Sequence, residues 1–215
     1  MSIDTLITQK ITTFFERYPK VHYKKGEIIT HAGEDPRGVS LLLEGLIEQY
    51  DSTAEGTHVT VNIFKSGAFF PMSWAINKTP NTYFYVALTD VTLQWADADE
   101  VVEFLKENPD VLFDLLHRVY LGTDALLRRI VLASSGAAVN RLAFELLIEA
   151  YRFGVEQGDG EYIISSKQHE LAARSGLARE TVSRELHKLQ DDGVVTLTQK
   201  GIIARSAQLE GILWV

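Results

Sequence analysis

Ser165-Ser166-Lys167-Gln168-His169-Glu170-Leu171-Ala172-Ala173-Arg174-Ser175-Gly176-Leu177-Ala178-Arg179-Glu180-Thr181-Val182-Ser183-Arg184-Glu185-Leu186 is the stretch on which the reading of this 215-residue chain turns. Serine followed three or four residues later by Gln168 or Glu170 marks a helix start, so a short helix is expected from Gln168 to Arg174 and a longer one from Arg179 to about Gln190. Ala172 is small where two helices must cross closely, and Gly176 permits the positive φ that a three-residue turn between them needs. Leu177, Val182 and Leu186 supply the buried face. Those positions account for folding, and they leave Arg179, Glu180, Ser183 and Arg184 pointing outward, with Lys188 one turn on. Residues 180 and 184 are four apart, so they share a helix face that could enter a major groove.

The chemistry of that face suits base reading. Arginine offers a fork to guanine O6 and N7, glutamate accepts from cytosine N4, and serine bonds a base edge or a phosphate. Arg179, Glu180, Ser183 and Arg184 are therefore the expected base readers of double-stranded DNA; Ser165, Ser166, Lys167, Gln168, Thr181, Lys188 and Lys200 are the expected contacts to its backbone. The competing reading is a solvated face on which Glu180 and Arg184 form an i,i+4 ion pair worth roughly a few tenths of a kcal/mol. Flanking segments weigh against it: Glu161 to Ile164 reads as a strand, and Val194 to Arg205 as a hairpin turning at Lys200-Gly201. Two short helices, a tight turn and a hairpin outline a winged helix-turn-helix.

Working outward, Leu112, Leu116, Val119, Thr123, Leu126, Ile130 and Ala133 step by fours and threes, a heptad seam held for three heptads. A long helix with such a seam wants a partner, and a homodimer joined along Leu112, Leu116, Val119, Thr123, Leu126 and Ile130 is expected. Alternatively the seam packs onto its own chain, with Leu115 and Leu127 beside it for a second face. Ser134-Ser135-Gly136 then interrupts the helix, and a new one runs from Ala138 to about Phe153. From Tyr23 to about Trp95, β-branched and aromatic runs alternate with turns at Gly26, Gly33, Gly45, Gly56 and Gly67, the spacing of an antiparallel barrel or roll. An amphipathic helix from Ile3 to Tyr18, stopped by Pro19, precedes it. The fold class is thus α+β: an antiparallel β-roll (1–96), a linker and dimerisation helix (97–135), and a winged helix-turn-helix (136–215).

Composition bounds the function. The net charge of −8 argues against nucleic acid, yet Ser165 to Gln190 carries +2 and the other 189 residues −10, so the acidity lies away from the reading surface. Absence of cysteine excludes disulfides, thiolate zinc sites, cysteine-ligated iron-sulfur clusters and cysteine nucleophiles. No apolar run approaches the roughly 20 residues of a spanning helix, and MSIDTLITQK lacks a signal-peptide core, so a cytoplasmic protein without a membrane partner is expected. There is no P-loop, GxGxxG, HExxH or nucleophile elbow, and an enzyme is not expected.

The glycine-punctuated roll, Asn108-Pro109-Asp110 opening the long helix, and Arg179-Glu180-Thr181-Val182-Ser183-Arg184 together resemble, over nearly the whole chain, the family of bacterial transcription regulators that includes the cyclic-AMP receptor protein and the oxygen regulator FNR. The resemblance implies a DNA-binding homodimer, a palindromic site with two reading helices one DNA turn apart, TTGA-like or GTGA-like half-sites, and RNA polymerase as a partner. The alternative is a ligand-binding β-roll protein whose helix-turn-helix serves mainly protein contacts.

Departures from the family pattern bear on the effector. Cyclic-nucleotide binders use a Phe-Gly-Glu turn and a later Arg-Ser pair; here Met72 falls where the glutamate should be and Thr82 where the arginine should be. A phosphate would then lack its counter-charge. Neither cyclic nucleotide nor haem is expected as a cofactor, no metal site is expected, and an iron-sulfur cluster is excluded by the cysteine count. What replaces the phosphate site is aromatic. Phe70, Met72, Trp74, Tyr83 and Tyr85, with Leu127 of the long helix, are a candidate pocket for an unidentified apolar or aromatic effector; otherwise these rings simply fill the roll.

Overall fold

The computed structural model describes residues 3–52, 56 and 58–213. The chain runs through α1 (Ile3–Phe15), β1 (Lys20–Tyr23), β2 (Ile28–Thr30), β3 (Val39–Glu44), β4 (Leu46–Ser52), β5 (His58–Lys65), β6 (Phe69–Phe70), α2 (Met72–Asn77), β7 (Phe84–Ala87), β8 (Val91–Ala96), α3 (Ala98–Glu107) and α4 (Pro109–Ser135). It continues through α5 (Ala138–Phe153), β9 (Val155–Gly158), β10 (Glu161–Ile164), α6 (Gln168–Ser175), α7 (Arg179–Asp191), β11 (Val195–Thr198), β12 (Gly201–Arg205) and α8 (Ser206–Leu213). There are two compact units, residues 1–121 and 122–215, and their boundary falls inside α4.

In the first unit the strands make two antiparallel sheets, ordered β1-β8-β3-β6 and β2-β7-β4-β5. β3 shows how its sequence builds the unit. Successive strand residues face opposite sides of a sheet. Leu42 points into a core shared by both sheets with Ile47, Phe70, Tyr85 and Leu93, whereas Val39 and Leu41 point the other way, onto Ile11 and Phe15 of α1 and Val101 and Phe104 of α3. Both faces are covered, so β3 reads as an apolar run rather than an alternation. Asp97 starts α3 by accepting from the Asp99 and Glu100 N–H groups at 2.9 and 3.2 Å. Pro109 opens α4, where the sequence reading places the start of the long helix, but α3, which ends at Glu107, has no counterpart in that reading.

The aromatic residues expected to line an effector pocket do not share one. Phe70 and Tyr85 are 1% and 2% exposed and lie with ring centroids 5.3 Å apart in the inter-sheet core, with Tyr83 packed against them. Met72 and Trp74 pack into the other cluster, beside α1 and α3, because α2 begins at Met72 and carries both off the sheet. Leu127 is exposed on α4. A groove of about 480 Å³ does exist in this unit, between Ile7 and Ile11 of α1, Leu41 and Leu43 of β3, and Asp114 and Arg118 of α4; none of the six expected residues lines it.

In the second unit, Leu142, Leu146 and Ala150 of α5 form an apolar stripe at helical spacing. It is buried against Leu171 of α6, Val182, Leu186 and Leu189 of α7, Leu209 of α8, and Ile164 and Ile202 of the sheet ordered β11-β12-β10-β9. Leu132, near the end of α4, joins the same core, and the Gly136 N–H closes that helix on the Leu132 carbonyl at 2.8 Å.

Gly45 turns β3 into β4 at φ 94°, and a Cβ there would strike the Asp90 carbonyl and the Val91 side chain. Gly45→Ala combines that clash with a left-handed conformation costing about 1–2 kcal/mol by itself. Denaturant unfolding is expected to show a loss of about 2 kcal/mol or more, and an unchanged midpoint would contradict this geometry.

Candidate nucleic-acid interface

α6 and α7 are joined by Gly176, whose φ of 62° places it in the left-handed region while its N–H bonds the Ala172 carbonyl. The sequence expectation for this turn is met. α6 also begins at Gln168, as expected, but not on a serine cap. Lys167 occupies the N-cap, and the Glu170 carboxylate accepts its backbone N–H at 2.6 Å. Ser166 is engaged elsewhere: its hydroxyl donates to Glu149 and accepts from Arg174 Nη1 at 3.3 Å. This half-buried hydroxyl is one of those expected to contact a phosphate. Ser165 and Lys167 are exposed and Gln168 is half-buried.

α7 has two faces. Val182 and Leu186 are fully buried and Leu189 nearly so. Arg179, Glu180, Arg184 and Lys188 are exposed, and Thr181 and Ser183 are half-buried. The sequence reading thus collects its four base-reading candidates within the first two turns of one helix. The Glu180–Arg184 pair of the competing reading is replaced by another: Arg184 Nε lies 3.2 Å from Glu185 Oε1, and Lys188 Nζ lies 3.1 and 3.2 Å from the two Glu185 oxygens. Glu185 is itself 5% exposed. Burial pushes its carboxyl up, but the hydrogen bonds from Lys188 and Arg184 outweigh this and hold it below the ordinary value. Lys200 sits exposed at the tip of the β11–β12 hairpin, its N–H on Thr198 Oγ1 at 3.2 Å.

On α4, Leu112, Leu116, Val119, Leu126 and Ile130 are 40–62% exposed, and Thr123 is exposed with them. The intramolecular alternative for this seam is not what the single chain shows; Leu115 and Leu132, off the seam, are the α4 leucines that are buried. Around the position where the family pattern would hold a phosphate, Lys78 pairs with Asp99 at 2.5 Å. Asn81 beside Thr82 is 5% exposed and spends its amide on the His31 and Tyr83 carbonyls at 3.0 and 2.8 Å. Sequence reasoning missed Glu145 and Glu149 of α5, which are buried and ion-paired with Arg129 and Arg174. Two carboxylates four residues apart, interleaved with the apolar stripe of α5, were the available signal.

The family model for a cyclic nucleotide-binding domain matches residues 20–108, and that for a Crp-like helix-turn-helix domain matches residues 140–212. The transcriptional regulator SdrP of Thermus thermophilus is 31% identical over 179 residues, covering 81% of this chain and 84% of its own. A global nitrogen regulator of Nostoc sp. is 27% identical over 186 residues, with coverage of 84% and 82%. Among solved structures, a CRP/FNR-family transcriptional regulator from Thermus thermophilus superposes with a TM-score of 0.71 at 25% identity, covering 92% of this chain and 99% of that one. Among the described residues, no helix is long and apolar enough to cross a membrane.

Glu185 sets a pH signature. Because its folded-state carboxyl titrates below the unfolded value, its bonds to Arg184 and Lys188 stabilise the fold above the unfolded value and are lost as pH falls through the folded one. Glu185→Gln is expected to lower the melting temperature at pH 7 and make its fall toward pH 3 shallower than in the wild type; parallel pH curves would refute the pairing.

Proposed function

Because the chain belongs to the CRP/FNR family of transcription regulators and carries a helix-turn-helix DNA-binding domain, we propose that it binds palindromic DNA as a homodimer and does so without cyclic AMP. The observation that carries this reading is the outward face of α7, where Arg179, Glu180 and Arg184 stand exposed beside Ser183. Arg184 and Glu180 supply complementary chemistry to guanine and cytosine edges, and Arg179 is the first residue of the helix, the end that approaches bases. Ser165, Lys167, Gln168, Thr181, Lys188 and Lys200 remain the proposed contacts to phosphates.

The apolar seam of α4 supports self-association: five large aliphatic side chains left in water along one stripe have their ordinary explanation in a second copy of the same helix. Two copies about a two-fold axis present two α7 helices to half-sites one DNA turn apart. In this division residues 1–96 are sensor-like, 97–135 carry the dimer contact and 136–215 read DNA, with RNA polymerase as the proposed downstream partner.

Independence from cyclic AMP rests on the residues at the phosphate position. Met72 and Thr82 offer no carboxylate or guanidinium, and Lys78, the base near them in sequence, is paired with Asp99. These residues do not fit a cyclic nucleotide held in the family manner. Of the histidines that could attract haem, His22, His31, His58 and His117, the first and third have hydrogen-bond partners: His22 Nδ1 lies 3.1 Å from Thr92 Oγ1, and His58 Nε2 lies 2.9 Å from a Glu48 oxygen.

DNA enriched from a random pool is expected to contain inverted half-sites with a central TG step. Affinity for it should fall roughly a thousandfold over a fourfold rise in salt, and should not change when cyclic AMP is added. Arg184→Ala should cost about 1–3 kcal/mol on the enriched site and little on unrelated duplex. Equal binding of wild type and variant to both duplexes would contradict the reading. For the dimer, Leu126→Asp is expected to shift the sedimentation coefficient from dimer to monomer and to abolish binding to the two-half-site duplex; a variant that still sediments as a dimer would place the contact elsewhere.

A further inference from the structure

Glu145 and Glu149 lie one turn apart on α5, 1% and 4% exposed, and each holds an arginine from a different helix. Arg129 of α4 donates from Nε to Glu145 Oε1 at 2.6 Å and from Nη2 to Oε2 at 2.8 Å, a two-pronged contact. Arg174, near the end of α6 and with its side chain only 8% exposed, pairs through Nη1 with Glu149 Oε1. Glu149 also accepts the Ser166 hydroxyl from the segment leading into α6. Arg152 belongs to the same cluster: its guanidinium titrates low, first through burial and then through repulsion from Arg129 and Arg174, against attraction from the two glutamates.

Such an arrangement is a poor way to gain stability. Desolvating ions costs several kcal/mol each, and well-packed apolar side chains of the same volume commonly serve as well or better. It is a good way to fix a geometry, because a guanidinium fork meets a carboxylate in few orientations. α6 has particular need of it. The helix is eight residues long, its N-cap is a lysine whose side chain cannot accept a backbone N–H, and Leu171 is its one fully buried aliphatic side chain. Besides these ion pairs, Leu171 with Ala172 and Leu177 packs α6 onto the core, and any slip of α6 passes to α7 through the Gly176 turn.

We propose that Arg129–Glu145 and Glu149–Arg174 form a relay of positioning residues across α5, which sets α6, and with it the reading helix, in fixed register with α4. The proposal rests on the DNA-reading assignment of α7. It gives the long helix a direct mechanical hold on the orientation of the recognition residues, through side chains that never touch DNA.

The test compares the wild-type full chain with Glu149→Met/Arg174→Met and with Arg174→Lys, in three measurements: melting temperature, the ratio of affinities for the enriched operator and for unrelated duplex, and amide hydrogen exchange in α6 and α7. The apolar double variant is expected to keep its melting temperature within a few degrees. Its affinity ratio should nevertheless fall about tenfold, the scale of a single coupling term, and its α6 and α7 amides should exchange about tenfold faster. Arg174→Lys keeps the charge and loses the fork, and should show the same two changes more weakly. Wild-type ratios and exchange rates in a folded double variant would overturn the relay; should that variant fail to fold, wild-type behaviour of Arg174→Lys would do so. A wild-type protein with no sequence preference would overturn the DNA reading alone, while the exchange rates would still decide whether the relay holds α6.

Discussion

Val182, Leu186 and Leu189 cannot be wetted without opening the core of the second unit, and that constraint orients everything else on α7. A helix has 3.6 residues per turn, so committing 182, 186 and 189 to the interior commits 180, 184 and 188 to the exterior, while Arg179 lies above the buried stripe and is exposed as the first residue of the helix. The charged side chains are thus placed by the aliphatic ones. Glu185, next to the buried stripe, is drawn in far enough to be largely buried yet keeps two cations at its carboxylate, which gathers Arg184 and Lys188 into one group on the outward face. Gly176 completes the arrangement by letting the chain reverse within three residues.

What could be read from sequence follows from the range of the forces involved. The strand at Glu161–Ile164, the helix beginning at Arg179, the left-handed Gly176 and the break after Ser135 are local consequences of periodicity and backbone freedom, and each stands where the residues place it. α6 starts at Gln168 as expected, but its cap is Lys167 rather than a serine, and Ser166 is claimed by Glu149, a residue 17 positions away in sequence. The aromatic segment from Phe69 to Tyr85, for which the sequence leaves open a pocket or a filled roll, is divided by geometry: period-two alternation sends Phe69 and Phe70 to opposite sides of the sheet, and α2 carries Met72 and Trp74 to the side of Phe69. A cluster in sequence becomes two environments in space. Helices α3 and α8 have no counterpart in the sequence reading. Buried ion pairs are the least legible feature, since a glutamate on an apolar helix face looks like an error until its arginine is found.

The roll has consequences for any signal it could receive. Its interior is occupied by Phe64, Phe70 and Tyr85, stacked with ring centroids 5.1–6.2 Å apart. Interiors packed in this way are not elastic: a molecule enters by displacing a ring, and the displaced ring must find another rotamer against neighbours that are already in place. The groove between α1, β3 and α4 poses no such demand, and its walls include the Arg118 guanidinium, held by Asp114 and by the Gly67 carbonyl.

The exposed seam of α4 carries a kinetic and genetic corollary. In the proposed dimer, held by Leu112, Leu116, Leu126 and Ile130, the extent of pairing would be set by concentration, so the fraction able to span two half-sites would grow faster than the amount of protein made. Near the dissociation constant of the pair, halving synthesis would remove more than half of the competent species. The regulated promoter would then respond to abundance as a threshold rather than in proportion, and newly made chains, with their leucines still in water, would depend on prompt pairing to stay out of aggregates.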